Sequence, residues 1–150
     1  MLKNIVLVTT MFIAAITLNT ASAEEWIDLP LTDGTYSEGK LSYHTNTFEI
    51  PIAANSDDEF NIHVEEGDTI VYAWTSNIAE ASLLSTEFHG HIKPSTGQAG
   101  KVMFYKVHTD GKGSGRMTAA FTGTHGWYLK NDSENDIVIT LNLAGFYRED

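Results

Sequence analysis

The stretch that decides the fold covers residues 123–143 and reads GTHGWYLKNDSENDIVITLNL. In its second half, apolar residues recur at every second position from Ile137 to Leu143. Because side chains of an extended chain alternate between two faces, this period predicts a β-strand with one buried face. The polar residues 131–136 favour a turn, and residues 127–130 before it form a second strand candidate. We therefore predict two strands joined by a polar turn.

The same alternation recurs along the chain after residue 40, which shows almost no helical period. The further strand candidates are 48–52, a hairpin over 59–75, and the stretches 82–89, 101–108 and 116–122. The Gly-rich residues 110–115 predict a flexible loop. Trp74 follows Ile70 and Tyr72 at every second position, so the three side chains point to the same face of the strand, which predicts a core position for Trp74. Roughly eight short strands predict an all-β fold, a single antiparallel two-sheet sandwich or jelly roll.

The first 23 residues have the features of a signal peptide. Lys3 precedes a mostly apolar run, and Ala21-Ser22-Ala23 forms the small-x-small pattern at which signal peptidase cuts. The apolar run falls short of the ~20 residues that a membrane-spanning helix needs. We predict a signal peptide at 1–23, a polar lead-in at 24–40 and a β-sandwich domain at 41–150, located in the periplasm or secreted. In the alternative, the segment is retained as an inner-membrane anchor with the domain facing the periplasm.

The composition narrows the classes of partner and cofactor. The chain has 20 acidic and 9 basic residues, a formal net charge of −11 and no cysteine. An acidic surface argues against nucleic acid and anionic lipid, which both need basic patches, so membrane contact is expected only through a retained anchor. The absence of cysteine excludes disulfides, thiolate metal sites and cysteine catalysis. The expected partner is an unidentified envelope protein or a small ligand.

The candidate binding residues of the chain lie mostly in two short motifs, His89-Gly90-His91 and His125-Gly126-Trp127-Tyr128. On an extended strand, His89 and His91 point to the same face. With His125 from another strand, and Glu87 as a further ligand, they would bind Zn²⁺ or Cu²⁺, since imidazole suits both metals. Trp127 and Tyr128 would then line the rim of a ligand groove.

A purely structural role for His125 and Trp127 is the alternative to a metal site. In that interpretation both residues cap one end of the sandwich, and the His125 imidazole donates a hydrogen bond to a carbonyl or to Glu87. Gly126 would let the backbone pass where a Cβ atom would clash. The sequence leaves both interpretations open.

Several motifs resemble those of a bacterial envelope family whose members are often labelled "transmembrane anchor protein". They are Thr47-Phe48-Glu49-Ile50-Pro51-Ile52, Glu66-Gly67-Asp68 with Tyr72-x-Trp74, Phe88-His89-Gly90, Phe121-x-Gly123-x-His125-Gly126-Trp127-Tyr128-x-x-Asn131, Thr140-Leu141 and Gly145-Phe146-Tyr147. The similarity runs over residues 44–147 and implies a small GOLD-like β-sandwich in the cell envelope, without implying a reaction. The family pattern Asp-Phe-His-Gly-Glu reads Glu87-Phe88-His89-Gly90-His91 here, so an imidazole replaces a carboxylate at position 91.

These observations predict a non-enzymatic binding or accessory module of the bacterial cell envelope, secreted or periplasmic. The first alternative is a metal-binding protein that uses His89, His91 and His125. The second is a small metalloenzyme. A cupin site resembles His-x-His followed a few residues later by Glu, whereas residues 92–96 after His91 contain no carboxylate.

Cleavage after Ala23 should give a mature chain that begins at Glu24, because the small-x-small pattern ends there. Intact-mass measurement of the protein from an envelope fraction tests this. A mass that retains residues 1–23, found in the membrane fraction, would support the anchor instead.

Overall fold

The computed structural model describes residues 27–150, so the predicted signal peptide lies outside the described residues. Gly34–Asp150 form the second of two compact units of the chain, and every strand among the described residues lies in it. Across the described part of the chain, no helix has the length and apolar character that a membrane crossing requires.

Nine strands and a single-turn 3₁₀ helix at Ala81–Leu83 make up the second unit. The strands are β1 (Tyr43–Ile52), β2 (Ser56–Val64), β3 (Thr69–Ser76), β4 (Leu84–Ile92), β5 (Lys101–Thr109), β6 (Lys112–Thr118), β7 (Gly123–Asn131), β8 (Ile137–Phe146) and β9 (Arg148–Glu149). They form a four-stranded sheet in the order β1-β8-β3-β6 and a five-stranded sheet in the order β5-β4-β7-β2-β9. All pairs are antiparallel. The predicted all-β, two-sheet sandwich is confirmed, and the strand order is that of a jelly roll.

Most connections cross from one sheet to the other, and among β1 to β9 only β4 and β5 are consecutive neighbours in one sheet. The predicted hairpin over 59–75 is therefore wrong, since β2 and β3 lie in different sheets. The strands on either side of the 131–136 turn, β7 and β8, are likewise not paired. Alternation could not reveal this, because a strand shows the same period whether its turn leads to a neighbouring strand or across the core.

The core between the sheets is built around Trp127, which is 2% exposed. Its indole stacks on Phe88 at a centroid distance of 4.4 Å and meets the Tyr72 ring edge-on at 5.1 Å. Phe88 lies on the neighbouring strand β4, whereas Tyr72 reaches across from the other sheet. Trp74 is also buried, as its parity predicted. Aromatic contacts between sheets therefore join the two layers.

Most of the stretch predicted as a loop at 110–115 is in fact strand β6, which begins at Lys112. Gly113 pairs with Trp74, and Gly115 pairs with Tyr72. A Cβ atom at Gly113 would lie 2.6 Å from the Trp74 indole nitrogen, and one at Gly115 would lie 2.9 Å from the Tyr72 hydroxyl. The glycines thus provide the space in which these aromatic side chains cover the edge strand.

Replacing Trp74 by alanine should lower the free energy of unfolding by roughly 3–5 kcal/mol, as large aromatic truncations in cores do. Val71 lies on the opposite face of the same strand and is 54% exposed, so Val71→Ala is the matched control and should stay within about 0.5 kcal/mol. Chemical denaturation of both variants measures the difference. An unchanged midpoint for Trp74→Ala would contradict the core position.

Candidate metal-binding site

The two His-Gly motifs meet as neighbours in the five-stranded sheet. β4 and β7 run antiparallel, with His89 opposite Gly126 and Gly90 opposite His125. Each imidazole therefore lies beside a glycine of the neighbouring strand. Because adjacent residues of a strand point to opposite faces, the two imidazoles lie on opposite sides of the sheet. The two motifs thus place His89 on the outer face of the sheet and His125 in the core, in different surroundings.

On the outer face, β7 lies between β4 and β2, and polar residues form rows across the three strands. The rows are His91, Thr124 and His63; His89, Gly126 and Asn61; and Glu87, Tyr128 and Glu59. A Cβ atom at position 126 would overlap the Phe60 carbonyl oxygen and lie 2.6 Å from the Asn61 side-chain oxygen. With glycine there, the His89 ring extends across β7, and its Nε2 lies 3.1 Å from Oε1 of Glu59.

Three potential metal ligands converge at this point, namely Glu59, His89 and His91. One ligand atom from each lies within 4.8 Å of the others. His89 is buried, His91 is half-buried and Glu59 is exposed. The His89 and His91 rings are nearly parallel, with centroids 5.7 Å apart. The predicted same-face arrangement of these two histidines is therefore present, whereas the carboxylate comes from β2.

Both ring nitrogens of His89 face hydrogen-bond acceptors. Nδ1 lies 3.2 Å from the backbone carbonyl oxygen of Glu87, and Nε2 faces the Glu59 carboxylate. A neutral imidazole carries a single N–H, so it donates to only one of these acceptors. When Nδ1–H donates to the Glu87 carbonyl, the lone pair on Nε2 is free to ligate a metal ion held between it and the Glu59 carboxylate.

The donor set fits a borderline divalent metal. Two imidazole nitrogens and a carboxylate oxygen are ligands of Zn²⁺ and Cu²⁺, and a hydrogen bond from the second ring nitrogen to a carbonyl is the usual support for a ligating histidine. Metal–ligand bonds of about 2.0–2.2 Å require the three side chains to draw together around an ion. Glu59 and His91 have the exposure to move in this way.

A groove of about 810 Å³ is lined by two of the three ligands, Glu59 and His91. Its lining includes Glu59, Asn61, His63, His91, Lys93 and Arg148. The Oδ1 atom of Asn61 is buried and has no hydrogen-bond partner within residues 27–150. A metal held by three protein ligands would keep at least one coordination position open for a further ligand.

His125 belongs to a different, buried arrangement, so its predicted grouping with His89 and His91 has to be corrected. It is fully buried, the Tyr105 hydroxyl lies 2.8 Å from its Nδ1, and its Nε2 lies 3.1 Å from the Phe121 carbonyl oxygen. Because the carbonyl accepts only, Nε2–H donates to Phe121 and Nδ1 accepts from Tyr105. The structural interpretation of His125 predicted a hydrogen bond from its imidazole to a carbonyl, and the bond to Phe121 matches that prediction.

An irregularity in the β4–β5 pairing places Tyr105 within reach of His125. Opposite the consecutive residues Phe88 and His89, β5 places Lys106 and Phe104, with Tyr105 as the extra residue. Its half-buried ring packs against the core, with its centroid 5.0 Å from that of the Phe88 ring. A β-bulge of this kind turns a side chain to the face opposite to the one that it would occupy in regular pairing.

The remaining predicted site residues have separate locations. Glu87 contributes its backbone carbonyl to His89, and its carboxylate lies outside the group of three ligands. Trp127 is a core residue, so its predicted place on a ligand rim has to be corrected. Tyr128 does lie on the outer face, half-buried, and the pKa of its hydroxyl is raised by desolvation and by the nearby Asp57 carboxylate.

Sequence reasoning missed Glu59. A signal existed, because the polar residues Glu59, Asn61 and His63 alternate with apolar residues along β2. This alternation predicts that the Glu59 carboxylate faces outwards, but it does not predict which strands lie beside it. The site requires β2 and β4 to flank the same strand, which the tertiary pairing decides.

No protein-family model matches the chain, and no curated protein sequence matches it. Among solved structures, the chain is similar to one from a study of carbohydrate-binding modules of the β-sandwich superfamily. The TM-score is 0.38 and the sequence identity is 10% over 75% of this chain. The chain spans 58% of the length of that structure.

Stability should fall when the pH drops, with His125 as a contributor. Burial lowers the pKa of His125, the Phe121 carbonyl opposes this shift, and His63, His91 and His89 lower it further. With a folded pKa below the unfolded value of ~6.5, the unfolded state binds more protons between the two values. This part of the stability is therefore present above about pH 6.5 and is lost as the pH falls towards the folded pKa.

The variant His125→Ala should be less stable than the unmodified protein by roughly 2–4 kcal/mol near neutral pH, through lost hydrogen bonds and a cavity. Its stability should also depend less steeply on pH below about 6.5. Denaturant titrations at several pH values measure both effects, with His44→Ala on the exposed part of β1 as the control. An undiminished pH slope in His125→Ala would contradict this role.

Proposed function

We propose that this protein is an exported, non-enzymatic β-sandwich module that binds a divalent metal ion, Zn²⁺ or Cu²⁺, through Glu59, His89 and His91. The observation that carries the proposal is the environment of His89. Its Nδ1 is oriented by a backbone carbonyl, its Nε2 faces a carboxylate at 3.1 Å, and the His91 imidazole lies beside it.

The burial of His89 supports a bound cation over an ordinary surface ion pair. Its side chain is only 10% exposed, whereas that of Glu59 is 40% exposed. Both ring nitrogens of His89 have an oxygen partner, and a metal ion would join Nε2 to the Glu59 carboxylate while also engaging His91. The strand backbones fix the positions of the three residues, so binding of an ion requires movement of side chains only.

The cellular setting that we propose is the bacterial envelope. The charge, apolar run and Ala21-Ser22-Ala23 pattern of the leader support export, and the resemblance to the envelope family supports the same compartment. In that compartment the module would carry its metal ion to, or hold it for, an envelope protein or a small ligand in the adjoining groove.

Isothermal titration of the exported protein with Zn²⁺ or Cu²⁺ at neutral pH should show one binding site, with a matching rise in melting temperature, because the ion binds the folded state. The variants His89→Ala, His91→Ala and Glu59→Gln should each weaken binding by about 10-fold or more. The controls His44→Ala and Glu49→Gln, which change the same residue types on β1 of the other sheet, should bind normally.

His125→Ala separates this site from the one predicted by sequence. It should bind metal like the unmodified protein while unfolding more easily, because His125 lies on the other face of the sheet. Absence of any heat of binding and of any shift in melting temperature with either metal would overturn the proposal. Loss of binding in His125→Ala with normal binding in His91→Ala would overturn the assignment of the ligands.

A further inference from the structure

Strand β5 is an open edge of the five-stranded sheet. It pairs with β4, and no other strand among residues 27–150 pairs with it. Val102, Phe104 and Val107 are each more than half exposed. An edge strand with exposed apolar side chains offers both unpaired backbone groups and a surface that favours burial.

The charge of this edge is opposite to that of the whole protein. Residues 88–109 contain Lys93, Lys101 and Lys106 and no acidic residue, whereas the formal net charge of the chain is −11. Lysines on an edge strand disfavour its pairing with an identical strand, because like charges face one another. They favour a strand that combines apolar and acidic residues.

The lead-in of this same chain has that composition. Ile27, Leu29 and Leu31 occupy every second position and are 72–86% exposed. Acidic residues accompany them, and no lysine or arginine occurs from residue 24 to residue 39. The alternation would place the three apolar side chains on one face of an extended strand, with Asp28 on the other.

We propose that residues 27–33 of one copy of the chain add as a strand to the free edge of β5 in a second copy. Ile27, Leu29 and Leu31 would then cover the exposed apolar side chains of β5, and Asp28 would lie on the side of the sheet that carries Lys101 and Lys106. Such strand addition gains affinity from main-chain hydrogen bonds and specificity from alternate side chains.

Pro30 is compatible with this pairing. In an antiparallel ladder, alternate residues direct their backbone N–H and C=O groups towards the partner strand. If Leu29 and Leu31 face β5 in this way, Pro30 faces outwards, where its missing N–H costs no ladder hydrogen bond. The proline would also prevent a further strand from pairing regularly on the new edge.

The test measures association of the full exported chain by sedimentation over a range of protein concentrations. We expect concentration-dependent association that weakens as salt rises, because part of the attraction is between charges. The double variant Leu29→Asp and Leu31→Asp should weaken it by about 10-fold or more, as should Lys101→Glu with Lys106→Glu. Adding Asp28→Lys to the lysine variant should restore part of the affinity.

A synthetic peptide of residues 24–38 serves as the probe of the β5 edge. It should bind the full chain saturably and compete with association. Val71→Asp, which charges an exposed apolar position of β3 in the other sheet, is the matched control and should change neither result. Far-UV circular dichroism and melting curves show that each variant is folded, and Glu59→Gln should associate normally because this surface does not use the metal ligands.

Three results would overturn the proposal. The first is a monomer at all concentrations that also fails to bind the peptide. The second is association that the leucine variant leaves unchanged, which would place the contact elsewhere. The third is peptide binding unaffected by the lysine variant, which would remove β5 as the receiving edge.

Discussion

The reciprocal pairing of two His-Gly dipeptides across β4 and β7 is the constraint on which the functional part of this molecule depends. His89 lies opposite Gly126, and Gly90 lies opposite His125. A Cβ atom at either glycine would collide with neighbouring atoms, the Phe60 carbonyl oxygen in one case and the His125 ring in the other. Gly90 therefore leaves space for the His125 ring, and Gly126 leaves space for the Phe60 carbonyl and the Asn61 side chain of the neighbouring strand.

The two faces give the same residue type opposite roles. His125, in the core, has its ring nitrogens satisfied by Tyr105 and Phe121, and burial lowers its pKa. It is a closed arrangement with no coordination position to offer. His89 on the outer face has one nitrogen held by a carbonyl and the other facing a carboxylate, beside a second imidazole. The two histidines differ because His89 lies opposite Gly126, the residue next to His125, and side chains of adjacent residues on a strand point to opposite faces.

The apolar edge at β5 borders the outer face, and the Phe104 ring lies 5.9 Å from the His89 ring. A strand added to β5 would therefore extend the same sheet that carries Glu59, His89 and His91 on its outer face. The acidic character of most of the chain and the basic character of this edge make the edge selective. Binding of an ion and binding of a strand would use different physical properties of one surface.

The sequence by itself determined the all-β class, the inward parity of Trp74 and the common face of His89 and His91, because all three follow from a period of two within single strands. It could not determine which strands are neighbours, so the predicted hairpin over 59–75 is wrong, whereas the two strands joined by the 131–136 turn are present but pair with other strands. The tertiary structure decided that β2 and β4 flank β7, which brings Glu59 to His89. It also decided that His89 lies opposite Gly126 and not opposite His125, because the register between β4 and β7 depends on packing of the whole sandwich and not on either strand alone.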